Sequence, residues 1–550
     1  VTAAIYYHPE AYTTDGPKLM GRNAAGKSFL KGFFLYSKAQ AFWAQVQKPE
    51  HARQFAMTAQ GFGRREPIKA VDKNSLAELS VAGVVYYPGP GIGEHAFQRS
   101  GFGHGAWSLC GITHTTSSAG AMDALAALIT APVQPWDAVI CTSTAVKNNV
   151  ERLLQAQVDY LKDRLGITKL VLPQLPVIPL GIHTQDFVYS EQQKVKARTQ
   201  LGVSSETIVV LFMGRLSFHA KAHPLAMYQA LQAAAKRTGK EVCLVECGWH
   251  ANEYIEKAYA EASKLACPDV RVITLDGRKL EDRQTAWASA DLCCSLSDNI
   301  QETFGIVPIE AMACGIPVVV SDWDGYKDTV RDGIDGFRIP TLMPRAGLAG
   351  DLALRHALEV DSYDMYCGHT CSLVAVDVEA TTRALISLFE SPALRTQLGK
   401  SGHQRAREVY DWAVVIPQYE ALWSSLTEIR TSNSAALQQF ARPWPARMDP
   451  FYSFAAYPTQ TLTEQTLLTL SDSDPKAALE RALGYRGLAM VDFAKTVLPT
   501  EVEIDTVLRA AGSIPAQAEA LVAEIPPHRK GFVLRSLVWL VKMGVLKVCR

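Results

Sequence analysis

The sequence predicts an α/β protein: two doubly wound parallel sheets, with a mainly helical extension behind them. Three observations predict it. Short apolar runs recur at intervals that leave room for a helix between each pair. Several of these runs, such as Ile208 to Met213 (IVVLFM), are apolar throughout, as a strand covered on both faces requires. The chain has 550 residues, enough for three domains. Strands are expected near Ala3–Tyr7, Val81–Tyr87, Ser108–Thr113 and Ala138–Thr142. After a break they resume at Ile208–Met213, Val242–Cys247, Val270–Thr274, Asp291–Ser295 and Pro317–Val320. Strand–helix alternation implies parallel sheets with right-handed crossovers. Two such domains facing each other leave a cleft that closure would dry.

Composition narrows the class. Apolar residues make up 48% and charged residues 20%, ordinary for a globular protein. Lys+Arg and Asp+Glu both number 55, which argues against general nucleic-acid binding. Eleven cysteines at irregular spacing suggest reduced thiols, and with them a cytoplasmic protein. Cys293 and Cys294 sit in an apolar strand and read as core. The sequence shows no signal peptide and no bilayer-spanning run, so any membrane contact is expected to be peripheral.

The most informative stretch runs from Glu302 to Gly315 (ETFGIVPIEAMACG). Pro308 suits a first helical turn, where a missing N–H costs nothing. Gly315 suits the left-handed residue after a helix end. Glu302 is therefore expected in the loop and Glu310 in the helix. The amides of Thr303, Phe304 and Gly305 would face whatever binds the helix N-terminus, an end that favours phosphate. The two carboxylates can accept hydrogen bonds from sugar hydroxyls. Upstream, the strand Ile208–Met213 ends in Gly214, Arg215 and, six positions on from Arg215, Lys221. Two cations at a strand's C-terminal end make a clamp where open α/β sheets bind ligands.

The Glu302-x7-Glu310 segment resembles the signature of retaining GT-B glycosyltransferases, in particular family four. The strand Pro317–Ser321 and the run Asp332-Gly333-Ile334-Asp335-Gly336-Phe337 are similar to that family's closing pattern. Two departures stand out: Asp324-Gly325-Tyr326-Lys327-Asp328 replaces a Gly pair and a Glu, and Thr303 replaces a Gly. The resemblance implies a GT-B fold of two Rossmann-like domains and a nucleoside-diphosphate sugar as co-substrate. Arg215 and Lys221 would neutralise the leaving diphosphate in place of a metal ion. Glu302 and the adjacent amides would orient the donor sugar, and Glu310 would accept the ribose hydroxyls. His114, after the strand Ser108–Thr113, would face the sugar. Arg278 and Leu280, after Val270–Thr274, would touch the nucleobase. No cofactor is expected. The resemblance also makes Pro176–Ile182 the hinge and Asp411–Thr427 a helix returning to the first half. It thus suggests an N-terminal acceptor domain at 1–180, a nucleotide-sugar domain at 181–410, and an accessory module at 431–550.

Gly21-Arg22-Asn23-Ala24-Ala25-Gly26-Lys27 precedes an apolar-periodic segment, Ser28 to Val46. It resembles the family's first glycine-rich loop, with Gly21 and Gly26 approaching the donor. The letters Gly21-x4-Gly26-Lys27-Ser28 also fit a P-loop, which leaves nucleotide hydrolysis as an alternative. The polar, turn-rich residues Tyr12 to Met20 argue against it, because a P-loop follows a buried strand. Asp322-Trp323-Asp324 and Asp472-Ser473-Asp474 spell Asp-x-Asp, a metal motif, in the wrong context. Cys367-Gly368-His369-Thr370-Cys371 lacks a second ligand pair at zinc spacing. No catalytic metal is expected.

Ser432 to Thr461 reads as a Pro- and aromatic-rich linker. Pro527 to Arg550 carries six Lys/Arg and no acid, with Leu534, Leu537, Val538, Leu540, Val541 and Val545 as apolar positions. A packed helical or winged-helix-like module for self-association or acceptor docking, a membrane-surface helix and a DNA-binding module all remain open. The expected activity is retaining, metal-independent transfer of a sugar to a hydroxyl of a saccharide, a lipid-linked acceptor or a small molecule. A phosphorylase or epimerase on the same fold, and a non-catalytic sugar- or nucleotide-binding scaffold, are the alternatives.

Overall fold

The computed structural model describes residues 2–13, 21–433 and 444–549, with backbone only at 21–22. The chain separates into two compact units, Val1–Trp444 and Pro445–Arg550. The first unit holds two six-stranded sheets. Sheet one contains β1 (Ala4–Tyr7), β2 (Phe42–Val46), β3 (Ile68–Val71), β4 (Val84–Tyr86), β5 (Ser108–Ile112) and β6 (Ala138–Ile140). Its order is β3-β2-β1-β4-β5-β6, all parallel. Sheet two contains β7 (Ile208–Met213), β8 (Val242–Gly248), β9 (Arg271–Asp276), β10 (Leu292–Ser295), β11 (Val318–Ser321) and β12 (Gly336–Ile339). Its order is β12-β11-β10-β7-β8-β9, again all parallel. Counted from its own first strand, each sheet runs 3-2-1-4-5-6, the order of a Rossmann fold. The chain reverses direction across the sheet between β1 and β4, and again between β7 and β10. Ligands of such sheets bind outside the strand ends at that switch point.

Three strands of the two six-stranded sheets escaped the sequence reading. The segment Ser28 to Val46 is not one helix: the helix Gly21–Tyr36 ends and β2 follows. Only Ser37 to Ala41 separate them, with no Gly or Pro to mark the break. β3 is an edge strand with its two central residues exposed, so it lacks an apolar run. β12 coincides with a motif read for its charges and glycines. The start of Val81–Tyr87 is corrected too, since Leu79–Ala82 is helical and Gly83, at φ +80°, turns the chain into β4.

The glycine-rich loop is also corrected. Gly21 and Gly26 lie within the helix Gly21–Tyr36. A Cβ on Gly26 would fall 2.0 Å from the carbonyl oxygen of Ala11, so this glycine permits close contact with the short helix Pro9–Tyr12. The turn-rich stretch expected before it falls mostly on 14–20, outside the described residues.

The chain passes between the two sheets twice, and the passages are joined. Val177 pairs with Cys141 beside β6, and Ile182 pairs with Asp411. Ile182 N donates to Tyr410 O at 2.8 Å, and Trp412 N donates to Ile182 O at 3.0 Å. Trp412 then opens the helix Trp412–Asn433, which returns to sheet one and buries Tyr419, Trp423 and Leu426. The return helix thus starts where expected and runs six residues further, into the start of the module placed at 431–550. The Trp412 ring is fully buried, with Nε1 donating to Ser28 Oγ at 2.8 Å. A Cβ on Gly32 would fall 2.6 Å from this ring, and one on Gly181 2.5 Å.

The second unit is a small α/β module. An antiparallel sheet of Leu467–Leu470, Ala516–Gln517 and Leu546–Val548 is covered by the helices Pro475–Arg486, Glu501–Ala510 and Pro527–Lys542. Val533, Leu537 and Leu540 of the last helix lie in its core with Val545 and Leu546. That takes up most of the apolar face a membrane-surface helix would need. Of the expected linker, 434–443 lies outside the described residues. Its described part includes the short helix Pro450–Ser453 and exposes Phe451, Tyr452 and Tyr457.

Trp412→Ala should destabilise the first unit by about 3–5 kcal/mol, the usual cost of truncating a buried Trp. Urea denaturation followed by circular dichroism measures it. A loss below about 1 kcal/mol would show that the hinge does not depend on this ring.

Candidate functional site

The site forms at the switch point of sheet two. Three neighbouring strands end on glycine or lead into it. Gly214 follows β7, Gly248 ends β8 and Gly277 follows β9. A Cβ on Gly248 would fall 1.9 Å from Gly214 O, and one on Gly277 2.9 Å from Gly248 Cα. Bare backbone therefore lines these strand ends. Gly214, at φ +142°, also lets the Lys221 stem pass close by.

Glu302 lies in the loop after β10, and Glu310 lies in the helix Ile306–Ala313, as the sequence implies. The helix ends before Gly315, at φ +75°. Gly305, at φ +79°, is obligatory, because a Cβ there would overlap the Tyr326 ring. Glu302 Oε1 accepts from Thr303 N at 3.3 Å and from Gly305 N at 3.1 Å. Glu302 Oε2 pairs with Lys221 Nζ, and these side chains are only 15% and 22% exposed. Two of the three amides expected to face a phosphate are thus held by Glu302 itself. Burial pushes the Glu302 carboxyl up, but Lys221 and the two amides outweigh it and hold the group below its ordinary value.

Arg215 Nη2 donates to Ala220 O at 3.0 Å and to Gln301 Oε1 at 2.9 Å. Arg215, Lys221 and Glu302 are therefore brought together around one loop. The Glu310 carboxylate accepts no hydrogen bond from a described residue. Burial raises its carboxyl to about 7, against the opposing pull of Arg283 and Lys221. Arg278 folds back on Asp276, donating from Nε at 2.9 Å and Nη2 at 3.0 Å, and Leu280 is exposed beside it.

The Phe304 side chain is in the core, which leaves its backbone, the part named by the sequence reading, to face a ligand. One residue differs from its expected role. Thr303 is buried and fastens the two halves together. Its Oγ1 donates to the backbone carbonyl of His114 at 3.1 Å, and its own carbonyl accepts from Ser143 Oγ at 2.7 Å. His114 is thus placed directly against the Glu302 loop.

Asp324, set aside as part of a chance Asp-x-Asp, stands beside this centre at φ +40°. Its Oδ2 is buried without a hydrogen-bond partner, and burial and the nearby Glu302 charge hold its carboxyl well above the usual range. Gln301, Ser143 and Tyr363 were also missed. Each acts through a contact between residues distant in sequence, and no local pattern announces that. Among the described residues no three His, Cys, Asp or Glu side chains are grouped to hold a metal ion.

Residues 193–346 match the family described as "Glycosyl transferases group 1". That segment contains Arg215, Lys221, Glu302 and Glu310, so this region of the chain is similar to group 1 glycosyl transferases. Among similar curated proteins is "Phosphatidyl-myo-inositol mannosyltransferase" of Mycobacterium leprae (strain TN), 31% identical over 156 residues, 28% of this chain and 32% of that protein. Another is "D-inositol 3-phosphate glycosyltransferase" of Mycobacterium marinum, 29% identical over 204 residues, 35% and 39% of the two chains. The matches therefore span about a third of those relatives' length. Among solved structures, Anabaena HepE in complex with UDP is 16% identical with a TM-score of 0.49, covering 77% of this chain and 100% of that one. Sucrose-phosphate synthase from Thermosynechococcus elongatus is 18% identical with a TM-score of 0.46, covering 78% and 99%.

Glu310 gives a pH signature. A carboxyl raised from about 4.3 in the unfolded chain to about 7 in the fold favours folding fully below the lower value. That contribution is lost as pH rises through about 7. Glu310→Gln should therefore gain stability relative to wild type between pH 5 and pH 8, measured by urea melts at both. A difference that stays constant would place the raised group elsewhere.

Proposed function

We propose that this protein is a retaining, metal-independent glycosyltransferase that moves a sugar from a nucleoside diphosphate onto an acceptor hydroxyl. One observation carries the reading: Lys221, Arg215 and Glu302 meet at a helix N-terminus on the switch point of a Rossmann sheet, with Glu310 one helical stretch away. Arg215 and Lys221 bind the diphosphate and stabilise the charge that builds up as it leaves. Entry of the diphosphate draws Lys221 toward phosphate and frees Glu302 for the hydroxyls of the sugar. The Glu310 carboxylate, without a hydrogen-bond partner among the described residues, accepts hydrogen bonds from the ribose hydroxyls. His114, held beside Thr303, faces the sugar from the first half. The departing phosphate oxygen takes the acceptor's proton on the same face, so no protein base is required.

The named activities of the similar curated proteins, both sugar transfers involving inositol compounds, support a hydroxyl acceptor. Saccharide, lipid-linked and small-molecule acceptors all fit that chemistry. The acceptor side belongs to the first half.

Thermal unfolding with UDP, GDP, ADP and CDP in turn, each with and without EDTA, tests the donor site. One nucleotide should stabilise the fold by about 2.7 kcal/mol at a hundred times its dissociation constant, and EDTA should not change that. No shift with any of them would favour a non-catalytic scaffold. Glu302→Ala or Lys221→Ala should lower turnover by at least about a hundredfold while the chain still folds. Near-normal turnover in either variant would end the assignment.

A further inference from the structure

A stretch after β12 reaches across the cleft. It rises from a short antiparallel pair, Thr341–Leu342 with Ala375–Val376, and carries the helices Gly350–Ala357 and Tyr363–Cys371. The second helix lies on the loop between Arg215 and Lys221. A Cβ on Gly368 would fall 3.1 Å from His219 Cβ, and Cys371 Sγ sits 3.8 Å from His219 O. At the start of this helix, the Tyr363 hydroxyl contacts both halves of the first unit. It stands 3.0 Å from Ser117 Oγ and 3.3 Å from Thr115 Oγ1, both in the loop after β5, and accepts from Gln301 Nε2 at 3.0 Å.

The chemistry fixes the direction of this chain of bonds. Arg215 can only donate, so the oxygen of the Gln301 amide must face it and the nitrogen must face Tyr363. A phenol offers one proton and two lone pairs, enough for all three partners. Arg215 is thereby linked through Gln301 and Tyr363 to the loop that carries His114.

We propose that Tyr363 is a positioning residue, a latch that couples closure of the two sheets to the orientation of Arg215. The catalytic meaning of this coupling rests on the donor-site reading above. When the first half swings away, Tyr363 loses Ser117 and Thr115, and its hydroxyl is no longer held in place against the Gln301 amide that faces Arg215. When the halves close, the cation is set in place. Closure and binding of a diphosphate should then reinforce each other.

Hydrogen–deuterium exchange on the full-length chain, without ligand, tests the latch. Tyr363→Phe keeps the ring and removes the hydroxyl. It should speed exchange by about fivefold or more at 113–118 and 299–303, while 467–548 is unchanged. Ser117→Ala approaches from the opposite side and should speed exchange at 299–303 and 363–371. The double variant should exceed neither single one by much, as expected for residues sharing one bond. Faster exchange confined to each variant's own segment would overturn the latch. In the nucleotide panel, whichever of UDP, GDP, ADP or CDP stabilises the wild type should bind Tyr363→Phe about fivefold more weakly, and unchanged affinity would also overturn it. A wild-type chain that no nucleotide stabilises would overturn the donor-site reading, and the exchange result would still decide the latch.

Discussion

Everything in the first unit depends on how two chain passages are tied at Ile182 and Trp412. Each α/β half has its own sheet and could be covered by its own helices. What makes them one unit is that Ile182 bonds to both Tyr410 and Trp412, so the outgoing and returning chains move together. The Trp412 ring sits against Gly32 of the first half and Gly181 of the hinge, and side chains at either glycine would displace it. A pivot made this way keeps its position while leaving the far ends of the sheets free to approach. Contacts across the cleft then only have to choose an angle.

The site uses that arrangement to keep charge under control. A buried carboxylate is costly unless it is paired and hydrogen-bonded. Glu302 meets both conditions with Lys221 and two backbone amides just before the helix. Asp324, close by and without equivalent partners, is held toward its protonated form. One formal negative charge thus faces one cation in a space where both carboxylates would repel each other. On the donor reading proposed above, a diphosphate would compete for Lys221, and Arg215 lies on the same loop.

The strand core was legible because its residues follow local rules. IVVLFM could only be a covered strand, and Pro308 and Gly315 bracket their helix by backbone chemistry alone. The charged site residues were legible through motif spacing. What could not be read were features set by distant partners. Gly26 looks like a phosphate-loop glycine, yet the carbonyl of Ala11 explains it. The fully buried pair Arg99 and Asp137, with Asp137 also bonded to the amides of Leu109 and Gln134, is two ordinary surface-type letters in the sequence. Tyr363 has no motif at all. Its role arises only when a stretch after β12 lies over one half and touches the other.

The strength of the cross-cleft contacts bears on how closure works. Ser143 and Thr303, Thr303 and His114, Thr144 and Asp328, and Tyr363 with Ser117 are each joined by a hydrogen bond. A typical intramolecular hydrogen bond contributes about 1 kcal/mol net. Four of them contribute a few kcal/mol, less than the roughly 5.5 kcal/mol needed to move an equilibrium from 1:99 to 99:1. These bonds alone therefore bias closure without locking it. A bound diphosphate ordering Arg215 would supply the remainder through the same loop. Residues 301–305 contain the partner of the Tyr363 latch, the carboxylate paired with Lys221, the fastener Thr303 and the glycine that fits against Tyr326. On the readings proposed above, five consecutive residues would sense both donor charge and domain angle, so that neither would change without the other responding.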